Sequence, residues 1–243
     1  MREWLTASLL QSAEDLTEEL EGYILGRGIP QLLMEELRLG SWAPQASQAP
    51  DVLFGGRHGD RGEKRAGWLS VPFWGPRGNV LGVEFRRWDG TKEITEHRLP
   101  DSKWSPVFIG LTPSVLREIW GGADVWLVEG LFDLAITHVL PPKNVALACG
   151  TARVSRAQVA FLQRFLKPSA RVFVAFDEDE TGRKHALGYR DERTNHWVPG
   201  AVQILDKVGV SAQVVRYFGG KDPGVIWERG GRPALASAFH FNL

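Results

Sequence analysis

The chain has 243 residues, 43% of them hydrophobic, enough for one sizeable core or for two small domains sharing an interface. Lys plus Arg and Asp plus Glu both number 29, so the formal net charge is zero, which excludes a protein whose whole surface coats nucleic acid and confines any such binding to a local patch. Cys149 is the single cysteine and the six histidines are scattered, which excludes a disulfide framework and a four-ligand zinc ribbon.

No apolar run approaches the roughly 20 residues of a membrane span, and the first ten residues carry Glu3, unlike a signal peptide. The expectation is a soluble, cytoplasmic protein with no membrane partner. The ten tryptophans either fill the core or, where exposed, offer rings for stacking on bases.

Residues 15–39 place Leu16, Leu20, Tyr23, Ile24 and Leu25, then Leu32, Leu33, Met34 and Leu37, at helical spacing around a Gly26-Arg27-Gly28 break. This predicts two short helices joined by a turn. The Pro/Gly-rich polar stretch 45–66 reads as a loop or linker. From Gly67 the period changes to two, with strands at 68–74 and 80–87 around a turn at 75–79, and a third strand near 93–99.

After Thr112 the pattern alternates: helix 113–120, strand 125–128, helix 132–139, strand 145–148, helix 155–165, strand 172–176, a helix from about Thr181 and a strand at 212–216. Short apolar strands separated by helices predict a parallel sheet covered on both faces. The fold class is α/β in this half and α+β overall, divided as 1–44 (helical lead-in), 45–111 (a small α+β subdomain) and 112–243 (the catalytic α/β domain).

In open parallel sheets, ligands bind where strands run into the following helices. Val128 is followed by Glu129-Gly130, and Phe176 by Asp177-Glu178-Asp179-Glu180-Thr181-Gly182. Carboxylates crowded at strand ends repel one another unless a cation lies among them. Asp177 and Asp179 project to one side if the chain stays extended. A plainer reading has Asp177 and Glu180 only capping the next helix.

Val128-Glu129-Gly130-Leu131-Phe132-Asp133 resembles the glutamate motif of Toprim domains. Phe176-Asp177-Glu178-Asp179-Glu180-Thr181-Gly182-Arg183-Lys184 resembles their Asp-x-Asp-x-x-Gly motif in the form used by bacterial-type (DnaG-like) primases. Leu147-Ala148-Cys149-Gly150-Thr151-Ala152 and Gly220-Lys221-Asp222-Pro223 are similar to two further primase segments, and 67–87 is similar to a strand pair of the primase amino-terminal subdomain. The resemblance spans residues 16 to 228, loosely in the first hundred, and implies a primase core of the phage or mobile-element kind, without zinc-binding and helicase domains. A replicative helicase or a zinc-binding partner is then expected on a separate chain.

The resemblance implies a DNA primase, a DNA-directed RNA polymerase that makes short primers on a single-stranded DNA template from nucleoside triphosphates. Magnesium, or manganese, is the implied cofactor, with no zinc. Glu129, Asp177 and Asp179 are the implied catalytic and metal-binding residues; Glu129 either joins the ligands or orients and deprotonates the attacking hydroxyl. Asp222 is an additional ligand and Asp133 a supporting acid, or else a solvated first-turn residue. Arg86, Arg87, Arg98, Lys103, Arg183, Lys184 and Lys221 are candidate nucleotide and nucleic-acid contacts, each with a solvated surface charge as the plainer reading.

Two departures stand out. Where the family often reads Asp-Pro-Asp, this chain has Asp222-Pro223-Gly224, which removes one auxiliary carboxylate. Residues 188–199 interrupt the usual helix and read as an inserted surface loop, either neutral or touching nucleic acid through Arg190, Arg193 and Trp197. A Toprim nuclease using the same carboxylates on water, and a catalytically weak nucleic-acid-binding replication module, are the alternatives.

Overall fold

The computed structural model describes residues 13, 16–42, 67–74, 80–87 and 108–240, and the backbone of 94–98. The expected linker at 45–66, the turn at 75–79 and Lys103 lie outside the described residues. The chain divides into two compact units, one of residues 1–26 and 31–107, the other of 27–30 and 108–243.

In the first unit, α1 (Glu18–Gly26) and α2 (Gln31–Leu37) bury Leu20, Ile24, Met34 and Leu37 along one stripe each. Thr17 starts α1, its hydroxyl accepting a hydrogen bond from Leu20 N at 3.3 Å. The end of α2 is tied to the sheet by Trp74 Nε1, which donates to Leu37 O at 2.9 Å. That sheet is antiparallel, in the order β1 (Gly40–Ser41), β2 (Leu69–Trp74), β3 (Val80–Arg86), β4 (Ile94–Arg98).

The hairpin and third strand occur where the alternation predicts them. Unlike a half-solvated ribbon, β2 and β3 are buried on both faces. Polar groups inside them therefore need partners: Ser70 donates to Gly40 O at 3.1 Å, and Glu84 pairs with Arg86. Trp42 is buried edge-on against Phe85, centroids 4.9 Å apart, so this tryptophan is core.

In the second unit, four parallel strands run in the order β10 (Ala212–Val214), β7 (Val172–Val174), β5 (Asp124–Val128), β6 (Asn144–Ala148). α3 (Pro113–Gly121) is capped by Thr112, and α4 (Arg156–Phe165) begins with a reciprocal cap between Ser155 and Gln158. α5 is Glu180–Leu187, and a two-stranded antiparallel hairpin of β8 (Tyr189–Arg190) and β9 (Trp197–Val198) follows it. α6 (Ala201–Asp206) then leads to β10, and α7 (Pro223–Ala238) closes the unit with a kink at Gly230 and Gly231.

Two expectations need correcting. The helix read at 132–139 is a 3-10 helix, Leu131–His138, whose first six residues are all buried; it is wound tightly under α7, where Gly224 approaches Phe132. Strand β7 stops at Val174, yet the chain beyond remains hooked to the sheet through Ala175 N donating to Leu127 O at 2.8 Å. Within the segment at 188–199, read as an inserted surface loop, residues 189–190 pair with 197–198 as a short hairpin. Among the described residues, no helix is long and apolar enough to cross a membrane.

Candidate active site

The carboxyl ends of β5 and β7 deliver the acids. Glu129 follows β5 directly, and its Oε1 accepts a hydrogen bond from Asp177 N at 3.0 Å, which couples the two strand ends. Gly182, in the first turn of α5, makes this approach possible: a Cβ there would lie 2.2 Å from Asp177 O and 2.8 Å from Glu129 Oε1. Close approach, with φ in its ordinary range, is what this position requires of glycine.

Asp179 caps α5, its Oδ1 accepting from Gly182 N at 2.8 Å, and its Oδ2 stands 3.2 Å from Lys221 Nζ. Lys221 Nζ is also 3.0 Å from Asp177 Oδ2, so the two aspartates converge on one ammonium as an extended chain would allow. Asp222, the expected additional ligand, lies beyond the last strand. It is the N-cap of α7, where its Oδ1 accepts from Val225 N at 2.7 Å, because Pro223 is suited to the first turn of a helix.

Asp133 is buried and is no solvated first-turn acid; its Oδ2 accepts from Gly130 N at 2.7 Å. Asp133, Asp177 and Asp222 each offer a carboxylate oxygen, and these lie within 4.8 Å of one another. Glu129 and Asp179 flank that group without entering it at this spacing.

Electrostatics follow from burial and crowding. Burial, then the Asp177 charge, pushes Glu129 up to about 7. Asp133 is driven well above the usual carboxylate range by burial, then by Asp222 and Asp177. Asp177 is raised by burial, against the opposing pull of Lys221. Asp179 is lowered, first by the Gly182 N–H and, against the opposing effect of burial, also by Lys221. Lys221 is itself raised by its bond to Asp177. One lysine does not balance these acids, and the remaining repulsion is what a divalent cation relieves.

The donor set fits a hard cation. It is all oxygen and lacks imidazole, and the nearby Cys149 thiol is pushed up by burial and by Glu129, away from the thiolate that softer metals prefer.

Two features of the support were not foreseen. Glu178, between the two aspartates, turns away from them to meet Arg216 at 2.5 Å and Arg183 at 3.3 Å. The Tyr217 hydroxyl lies 3.1 Å from both Phe176 O and Lys221 O, bridging the two acid-bearing loops. The alternation of side-chain direction along an extended 177–179 is a readable signal for the first; nothing local signals the second.

Of the basic candidates, Lys221 is in the site. Arg183 pairs with Glu178, and Lys184 pairs with Glu180 at 2.6 Å one helical turn away. Arg86 pairs with Glu84 and Arg87 lies over the Trp68 ring, both in the first unit, where the backbone of Arg98 ends β4.

Residues 126–224, which include most of this sheet and its acidic edge, match the family described as Toprim-like. The whole chain carries the fold of DnaG primase catalytic cores. The zinc-binding and RNA polymerase domains of the Aquifex aeolicus primase match at 24% identity, with a TM-score of 0.64, over 95% of this chain and 60% of that one. The RNA polymerase domain of Mycobacterium tuberculosis primase DnaG matches at 20% identity and a TM-score of 0.64, over 97% of this chain and 81% of that one. A DnaG primase catalytic domain bound to single-stranded DNA matches at 19% identity and a TM-score of 0.60, over 98% of this chain and 79% of that one. This chain thus spans under two thirds of the Aquifex fragment. Curated protein sequences gave no match.

Proposed function

We propose that the chain is a primase catalytic core that makes short primers on single-stranded DNA by metal-dependent nucleotidyl transfer. The observation that carries this reading is the convergence of Asp133, Asp177 and Asp222, with Glu129 and Asp179 beside them, at the edge of a Toprim-like sheet.

A bound magnesium or manganese ion would offset charge on the triphosphate and on the attacking and leaving oxygens. Asp177, Asp133 and Asp222 are the residues spaced to hold it, and Asp179 faces the same lysine from the start of α5. In the transfer, the primer's 3′ oxygen bonds to the α-phosphorus, the bond to pyrophosphate breaks, and the hydroxyl proton leaves. Glu129 either extends the ligand set or orients that hydroxyl and accepts its proton. Lys221, freed from Asp177, is available to a phosphate oxygen.

The test is incubation with single-stranded DNA, labelled nucleoside triphosphates and magnesium or manganese, alongside Glu129→Gln and Asp177→Asn. Oligonucleotide synthesis by wild type and its loss in both variants is the expected result. Degradation of the DNA without synthesis would replace the primase reading with a nuclease.

A further inference from the structure

The hairpin between α5 and α6 is a built surface that the carboxylate chemistry does not use. Its base is pinched by two glycines: a Cβ on Gly200 would lie 2.2 Å from Gly188 N, and one on Gly188 would lie 2.7 Å from Trp197 Cζ2. Its tip is organised by Asp191, whose Oδ1 accepts from Arg193 N, Thr194 N and the Thr194 hydroxyl at 3.1, 2.8 and 2.8 Å. A surface fixed in advance loses little conformational freedom when it binds.

Register separates its two faces. Tyr189 opposes Val198, and Tyr189 turns toward α5, with His185 edge-on at 5.7 Å and Lys184 Nζ at 5.9 Å from its ring. Arg190 opposes Trp197, and directly opposed residues share a face, so an arginine and an indole stand side by side outward. Trp197 is 59% exposed, which is unusual for so large an apolar ring.

The charges on the hairpin are mixed, and its acids are already engaged. Asp191 is occupied within the tip, and Glu192 acts on Lys184. Arg190 is held by the neutral Asn195 side chain at 3.0 Å. Exposed Arg193 and Arg153 have no ion-pair partner among the described residues; Arg153 donates to His185 at 3.4 Å from the loop after β6. Arg190 and Arg193 therefore stand on one short hairpin with the exposed indole, neither of them paired with a carboxylate among the described residues. The hairpin lies one helix from the acids: α5 starts beside Asp179 and its 8 residues span roughly 12 Å.

We infer that this hairpin is a binding surface for single-stranded nucleic acid, with Arg190 and Arg193 meeting phosphates and Trp197 stacking on a base. The inference rests on the reading of the chain as acting on nucleic acid.

The test is fluorescence anisotropy of labelled dT16 and rU16, in EDTA and across a salt series, with wild type, Trp197→Ala, Trp197→Phe, Arg190→Ala/Arg193→Ala and Trp120→Ala. Trp120, half exposed on α3, is a control for exposed indoles in general. Trp197→Ala is expected to weaken binding about 10-fold, Trp197→Phe to restore most of it, and Trp120→Ala to change nothing. The double arginine variant should lower the slope of log K against log salt by roughly 1.4. The better-bound oligomer tells template from product. Wild-type binding with Trp197→Ala and the arginine variant unchanged overturns the hairpin and leaves the primase reading intact. Failure of wild type to bind either oligomer overturns both.

Discussion

Lys221 Nζ stands 3.0 Å from Asp177 Oδ2, and the same ammonium reaches Asp179 Oδ2 at 3.2 Å. A protein cation thus sits against carboxylates that a divalent ion would also bind. Lys221→Met should therefore lower the melting temperature in EDTA, modestly because the lysine is 57% exposed, and the difference should narrow at saturating magnesium. Melting curves with and without the ion check this; a deficit of equal size under both conditions would show that lysine and ion do not share the carboxylates.

Asp177→Asn keeps the shape of the side chain and removes a charge from the crowded set. In EDTA it should fold at least as well as wild type. Magnesium at a hundredfold excess over its Kd should stabilise wild type by about 2.7 kcal/mol and the variant by far less. Nucleotide incorporation should fall about a hundredfold or more in the variant. Denaturant titrations and incorporation assays on the same preparations measure the two effects.

Gly224 stands where related proteins often carry an acid, but a Cβ there would lie 3.1 Å from Phe132 O and 3.2 Å from Phe132 Cβ. Gly224→Asp should therefore destabilise the fold by about 1–3 kcal/mol and leave activity no higher than wild type. A gain in magnesium affinity without loss of stability would contradict this packing.

His138 stacks on Trp227, centroids 4.1 Å apart, with Nε2 3.1 Å from Gly28 O. Burial lowers its pKa below the ordinary 6.5. The unfolded chain then binds the proton more tightly, so the stability His138 contributes is present above about 6.5 and is lost as pH falls from there toward the folded value. The raised Glu129 and Asp133 act with the opposite sign, so the comparison must be differential. Urea midpoints at pH 7.5 and 5.5 should fall more on acidification in wild type than in His138→Gln.

The strands were legible because Val125 to Val128 and Val145 to Ala148 are continuous apolar runs ending at Glu-Gly and Cys-Gly, which is how a strand covered on both faces reads. Glu129 and Asp177 stand out in the same way, as the first charges after such runs, with Asp179 two residues beyond Asp177. α7 was not read; Gly230 and Gly231 do leave helical geometry, so it is two short helical pieces meeting at a kink, with Pro233 in the first turn of the second. α6 was also missed, although Gln203 three residues after Gly200 is a capping signal: its Oε1 accepts from Gly200 N at 2.9 Å. The burial of Asp133 depends on the return of residues 217–224 beside the sheet, a contact across about ninety residues that no local pattern records.

That return is fastened by Tyr217, whose hydroxyl joins the backbone ahead of Asp177 to the backbone ahead of Asp222. The two aspartates are thereby gauged against each other by a phenol, before any ion arrives. An ion entering such a frame meets a fixed aperture, so discrimination between magnesium and the larger calcium would fall to ionic radius, and Tyr217→Phe would blunt that discrimination by letting the two loops drift independently.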